Sequence, residues 1–542
     1  MFGFMRSARF AVLGAALLAG GLFLSCSDDD SGSSSFTGVK ISVASSKSSS
    51  GTEDTEESSE SNSVIITPTF YNEDAADSSV SVTLAVTADS TNGAYFGTES
   101  ETTSTSVTSG QSATLTFGSE TGSVTVSASY GENYESTMAV INGDDTETVS
   151  GYAALNWSLD ASSLTQVTVT SKNDLVTYAE TGNYLIYVSG MIDMSEGSLP
   201  SDNTDSSGNL SSFISTNTSG AYSSWTTWRD AFAKACTTSS DNTTNDSTIN
   251  GYQTALVKAW KSLIRLDVAS NTMIVGLDSN SGIKGGYISI SGKSNIVIRN
   301  LVIQDAFDPF PHHESGDGYN AEYDGIGIQG SSSNIWIDHC TFKDTMALAY
   351  VSTGGSTSEK WQTYDGLLDI KNSSTYITVS YCKFMDHDKT SLIGSSDSDG
   401  DSSSRMITYH HNYFYNCAQR LPMVRNTTFH MYNNCFDSSS SAPYTQSYAV
   451  GVRSGAIVYS ENNYFGSGIK YSFTASSSSK GTLYQSGDSD SSSSGKNSSY
   501  ISSRGSTKFS SAVNAYTYTP QTASEAKTTV TAEDGAGATL TF

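Results

Sequence analysis

Basic residues are scarce in this chain of 542 residues: 28 Lys and Arg stand against 55 Asp and Glu, a formal charge of -27. A chain of that sign has no broad cationic face, which excludes general binding to nucleic acid or to an anionic membrane surface. Cysteine is scarce too. Beyond Cys26 only Cys236, Cys340, Cys382, Cys417 and Cys435 remain, an odd number, so no disulfide framework can be assumed. Long apolar runs are lacking: Ala11 to Leu24 is too short and one-sided to cross a bilayer comfortably. At this length two or more domains are expected.

Arg6 and Arg9 precede that apolar run and Ser25 follows it just before Cys26, which describes a secretory signal over residues 1–25. The pattern resembles a bacterial lipoprotein signal. That implies acylation of Cys26 and an extracytoplasmic protein lipid-anchored at the bacterial cell surface, with no other membrane contact. Residues 26–62 are rich in Ser, Thr, Gly, Asp and Glu and are expected to form a disordered linker. From 63 to 148 short alternating strands, Val64–Ile66, Val80–Val86, Ala113–Phe117 and Gly122–Ala128, are separated by turn residues, as in a small antiparallel β-sandwich. The segment resembles a bacterial immunoglobulin-like domain and carries no cluster of titratable residues, which implies a spacer or wall-contact module. Within residues 149–542, Ser171 is placed to cap a helix, Tyr184–Val188 reads as a strand, and a polar excursion follows with one helical piece, Trp225–Ala235. A second amphipathic helix is expected over Thr254–Leu266.

From Met273 onward short strands end in an amide or thiol, a variable residue and a large apolar residue: Asn300–Val302, Cys340–Phe342, Cys382–Phe384, Asn412–Phe414, Asn434–Phe436 and Asn463–Phe465. The shortest interval is 22 residues. Coils of that length cannot bury an apolar face alone and must stack, which is the habit of a parallel β-helix. The fold class is therefore all-β: a parallel β-helix with long loops and a few short helices, behind a small sandwich. Asn300, Asn412, Asn434 and Asn463 would form an inward amide ladder that satisfies turn backbone groups, with Cys340 and Cys382 as buried thiols in the same column. The Ser-rich run Ser476–Ser503 reads as a mobile loop.

The few cations concentrate in one stretch. Asp365 and Asp369 lie four apart on a run that reads as a strand, and Lys389, Arg420 and Arg425 follow. Carboxylates at two ends of a short strand can converge on one hard cation such as Ca²⁺. A metal beside fixed Lys and Arg suits gripping a polyanion, although the same charges could be salt-bridge partners on a solvated face.

Six segments in order, Phe307–Asp324, Ile335–Phe342, Asp365–Lys371, His387–Gly394, His410–Asn412 and Arg420–Arg425, resemble the pectate lyases, whose β-helix is right-handed, across roughly residue 169 to the C-terminus. The resemblance implies a calcium-dependent lyase that cleaves demethylated α-1,4-galacturonan by β-elimination, acting as a monomer on a polysaccharide. It implies calcium ligands at Asp324, Asp365 and Asp369, with Glu322 a fourth candidate. It further implies substrate-binding cations at Lys371, Lys389, Arg425 and Arg453, and a base at Arg420, a role that needs a neutral guanidine. Many members carry Glu where Asp365 stands. Met423 departs from the family habit of Arg and receives no role, and Trp336, Asp338 and His339 match a structural region. Two alternatives remain: a polygalacturonase-like hydrolase, which needs paired carboxylates and a positioned water, and a non-catalytic polysaccharide-binding surface lipoprotein. For the hydrolase, no Gly-His-Gly or Arg-Ile-Lys is present.

Overall fold

The computed structural model describes residues 37–45, 63–142 and 149–541, apart from breaks at 74, 90, 92, 98–101, 119–121, 133, 201–208, 237–243, 315–317, 347–348, 353–357, 400–403, 498–500 and 505–515. The signal at residues 1–25 and the lipidation site Cys26 lie outside the described residues. Most of the chain winds into coils of three short strands each, and successive coils pair in parallel to build three sheets. One coil comprises Thr428–Tyr432, Cys435–Asp437 and Val450–Val452; the next comprises Ile457–Glu461, Tyr464–Phe465 and Phe473–Thr474. This is the parallel β-helix expected from the repeats.

Stacking follows from the alternation of each strand, because side chains at equivalent positions of adjacent coils meet at strand spacing. On the long sheet Ile296, Ile335, Ile377, Ile407 and Phe429 stand in register, all pointing inward and fully buried. On the second sheet Phe342, Phe384, Phe414, Phe436 and Phe465 stack face to face, with centroid separations of 4.8, 4.7, 5.0 and 4.7 Å. The amide ladder forms over three coils: the side-chain amide of Asn412 donates to Asn434 Oδ1 at 2.9 Å, and that of Asn434 to Asn463 Oδ1 at 2.9 Å. Asp488 ends it by accepting the Asn463 backbone amide. Asn300 stands apart, because Cys340 and Cys382 fill the intervening coils. It holds the C-terminal segment instead, accepting the Leu540 amide at 2.9 Å. The five described cysteines are buried thiols.

Several elements differ from the sequence reading. Gly38–Ser45, placed within the linker, is a strand. Val39, Ile41 and Val43 alternate into the core, and the strand pairs antiparallel with Ser63–Asn72 along its whole length and with Thr165–Val169 through Val43 and Gln166. The long sheet therefore runs from the coils into the N-terminal unit. There it faces the antiparallel sheet of Ser104–Thr108, Ser81–Asp89, Gly122–Tyr130 and Tyr134–Asn142 across a core that includes Ile66, Leu84, Leu115 and Val126. The run Ser476–Ser503, expected to be a mobile loop, contains strands Thr482–Ser486 and Ser489–Asp490, which continue the coils.

The helix Lys172–Thr181 starts at Ser171, whose hydroxyl accepts the Asp174 amide. The helix expected over Thr254–Leu266 spans Ser247–Ile264, because Asp246 caps it by accepting the amides of Thr248 and Ile249. The polar excursion holds Asn209–Asn217 as well as Trp225–Cys236. These helices build a second core around Trp225, Trp228, Trp260 and Trp361, which also clamps Phe307, Tyr319 and Tyr323. Residues 307–323 lead directly into Asp324, so this aromatic packing fixes the approach to the carboxylates described next. Among the described residues no helix is long and apolar enough to cross a membrane.

Candidate active site

The third sheet carries the candidate residues. In its strand Leu368–Ile370, Leu368 and Ile370 point into the core and Asp369 points out. Asp324 precedes the strand Ile326–Gln329, and Asp365 precedes Leu368–Ile370, so register brings all three carboxylates to neighbouring coils. One oxygen of each lies within 4.8 Å of the others. Gly366 makes the crowding possible: a Cβ there would stand 2.5 Å from Asp369 Oδ1 and 2.7 Å from Asp324 Oδ1. Its amide donates to Asp324 Oδ1 at 3.0 Å, while the Leu392 amide donates to Asp369 Oδ1 at 2.9 Å.

Three carboxylates so close repel one another unless cations approach. Lys371 Nζ lies 3.1 Å from Asp324 Oδ2 and 2.9 Å from Asp369 Oδ2, and Lys389 Nζ lies 2.7 Å from Asp365 Oδ1. Burial, reinforced by the charge of Asp369, pushes the Asp324 carboxyl up to about 8. Asp365 goes the other way: its burial is overcome by Lys389 and then Lys371, which hold it below the ordinary range. For Lys371, burial is outweighed by Asp369 and Asp324, and its ammonium is held charged. An all-carboxylate donor set is the set that suits a hard divalent cation and not a soft one. The three carboxylates converge within the reach of one ion, so the residues present fit the metal that the resemblance implies.

The other basic residues arrive through the same register. Gly394, Arg425 and Arg453 follow Lys371 one residue past successive strand ends, their amides bonded to Ile370, Ile393 and Val424. Arg425 turns to Asp397, with Nε 3.1 Å from Oδ1, and donates to the Gly394 carbonyl at 3.0 Å. Arg453 lies over the Tyr448 ring, 5.7 Å from its centroid. Lys389 bridges to Gln419 in the next coil, Arg420 follows, and its carbonyl accepts the Ser391 amide. The charge of Arg420 adds, after Lys389 and Lys371, to holding Asp365 down. Its backbone adopts φ of 59°, a left-handed conformation that costs a non-glycine residue about 1–3 kcal/mol.

Glu322 does not join the carboxylates. Its Oε1 lies 2.6 Å from Lys261 on the helix Ser247–Ile264, so the fourth ligand expected from sequence is occupied by a helix cation outside the group of three. Two features escaped the sequence reading. Asn320, on the strand Gly318–Asn320, accepts from Lys389 Nζ at 2.9 Å and shares that ammonium with Asp365. His387, fully buried, links Asp344 Oδ2 at 2.5 Å to the carbonyl of Asp365 at 2.8 Å, and so holds the backbone of that residue. Its burial is outweighed by the charge of Asp344, which raises its pKa. Trp336, Asp338 and His339 sit on the long sheet instead. There Asp338 is buried between Arg299 Nε at 3.0 Å, His339 Nδ1 at 2.6 Å and the Ser380 hydroxyl, a structural network.

Comparison with known proteins bears on the whole arrangement. The pectate lyase family model matches residues 227–539. A pectate lyase of Bacillus subtilis is 42% identical over 243 residues, covering 42% of this chain and 56% of that protein, and pectate lyase E of Dickeya chrysanthemi is 41% identical over 217 residues, covering 39% and 55%. The chain thus spans little more than half the length of these curated relatives. A solved structure of a pectate lyase bound to a hexasaccharide aligns at 28% identity with a TM-score of 0.54, covering 72% of this chain and 97% of that one. A pectate lyase from Acidovorax avenae subsp citrulli, at 22% identity and a TM-score of 0.58 over 72% of this chain and 95% of its own, shares the fold. With the family match covering more than half of the sequence and the coils stacked as described, this chain belongs to the pectate lyase family.

Proposed function

We propose that the protein is a pectate lyase that cleaves demethylated α-1,4-galacturonan by calcium-assisted β-elimination and leaves unsaturated oligogalacturonides. The observation that carries this reading is the group of three carboxylates, Asp324, Asp365 and Asp369, gathered against Lys371 and Lys389 with Arg420 on the next coil. Ca²⁺ held there supplies a doubly charged partner for a uronate carboxylate and makes the adjacent carbon-bound proton more acidic. Lys389, oriented by Asn320, steadies the charge that grows on the substrate carboxylate as the proton leaves. Arg420, as the neutral guanidine that the role needs, takes that proton from C5, and the C4 oxygen departs, picking up a proton from solvent. Lys371, Arg425 and Arg453 bind the uronates along the chain. His387 and Asp344 keep the Asp365 backbone in place while the charge shifts.

Around this activity, the chain acts as a monomer outside the cytoplasm, anchored through lipid on Cys26, with the immunoglobulin-like sandwich as a spacer. The test is to incubate the full chain with polygalacturonate and calcium. Product absorbing in the ultraviolet, lost on adding a chelator, supports the lyase. New reducing ends without that absorbance would mean a hydrolase, and binding without products a non-catalytic lipoprotein.

A further inference from the structure

The four oxygens of Asp324 and Asp369 fall into two pairs. The Oδ1 atoms are fixed by backbone amides, Gly366 on Asp324 and Leu392 on Asp369. Both Oδ2 atoms instead meet one side chain, the Lys371 ammonium, at 3.1 and 2.9 Å. An incoming cation finds the Oδ1 atoms facing the protein and the Oδ2 atoms engaged by a charge that can move. The Lys371 side chain keeps 23% of its surface exposed against 4% and 2% for Asp324 and Asp369, so the ammonium is the solvent-facing member of the three. Its backbone lies in the column that continues through Gly394 to Arg425 and Arg453.

We propose that Lys371 is a tethered competitor for the divalent ion. Entry of the ion lifts the ammonium off Asp324 and Asp369, and the displaced ammonium, confined to the column of Arg425 and Arg453, becomes a cation that meets the polyanion. Ion and polymer then favour one another reciprocally: the ion releases Lys371 to the polymer, and the polymer, by taking the ammonium, opens two oxygens to the ion. This rests on the calcium reading of the cluster, and it adds an order of events and a coupling to it.

The experiment is calorimetric titration of calcium into the full chain without polymer, comparing the unaltered protein with Lys371→Met, Lys371→Arg and Asp369→Asn, each checked for folding by circular dichroism. Removing the competitor should tighten calcium binding about tenfold or more in Lys371→Met, while Lys371→Arg, which keeps a competing cation, stays within about threefold of the unaltered protein. Trigalacturonate at saturation should raise calcium affinity in the unaltered protein and raise it less in Lys371→Met. If the unaltered protein binds calcium, Asp369→Asn weakens it and Lys371→Met binds no tighter, the competitor role is overturned and the metal site stands. If the unaltered protein and Asp369→Asn alike bind no calcium, the metal reading and this inference fall together.

Discussion

Replacing Gly366 with alanine probes how rigidly the carboxylates are held. The added methyl would stand 2.5 Å from Asp369 Oδ1 and 2.7 Å from Asp324 Oδ1, about 1 Å inside the separation that buried atoms prefer. Neither oxygen can retreat cheaply, because each accepts a backbone hydrogen bond, from Leu392 and from Gly366 itself, and Asp324 and Asp369 are 3% and 2% exposed. Overpacking of this kind costs about 1–3 kcal/mol. If the strain falls on the carboxylates and not on the coil, it appears as a loss of calcium affinity of about 5- to 150-fold. Calorimetric titration measures that loss, and urea unfolding of the same variant separates it from a general loss of stability. Calcium affinity within twofold of the unaltered protein, together with an unchanged unfolding midpoint, would refute the argument that the glycine exists to let these oxygens close together.

Three further outcomes are expected. Arg420→Lys should lower kcat by about 10²-fold or more while leaving KM little changed, since a proton-transferring group contributes about 10²–10⁴; near-normal turnover at saturating polygalacturonate would count against the base. Asn434→Ala should destabilise the protein by about 3–5 kcal/mol, because it strands the buried Tyr409 carbonyl and the Asn412 amide that the side chain serves; a loss under about 1 kcal/mol in urea unfolding would show that the ladder is ornamental. Burial holds His410 well below its ordinary value and His411 at about 4, with His430 also lowered. Such imidazoles bind protons more readily once unfolded, so their contribution is complete above about pH 6.5 and is lost as pH falls toward 4, by roughly 3 kcal/mol for His411. An unfolding midpoint that stays flat from pH 7 to 4.5, in His411→Gln and the unaltered protein alike, would contradict this.

What could be read in advance was whatever local periodicity encodes. The alternation around Asp369 and the recurring Asn-x-Phe strand ends carry their own register, and the coils follow them, whereas the need for a glycine at position 366 shows only in the packing. Contacts made by loops do not have that signature. Glu322 is a candidate ligand by the family resemblance, yet the helix Ser247–Ile264 presents Lys261 to it. Arg425, expected as a substrate-binding cation, turns to Asp397, an exposed loop residue. Asn320 and the pair of His387 and Asp344 meet their partners only through tertiary packing, and nothing in their spacing signals it. Gly38–Ser45 is different. The alternation of Val39, Ile41 and Val43 was present in the sequence, and the polar composition around it concealed a strand.

That strand also has a mechanical meaning. Any pull that reaches the protein through the residues before Gly38 enters an element whose eight register partners run from Tyr71 back to Val64 and whose far end is stitched to the first coil. A tug directed along the strand is shared by all of those rungs at once instead of parting them singly, and it passes along one ribbon into the coiled body. Were the chain tethered through its N-terminal residues, that strand would carry the load into the coils.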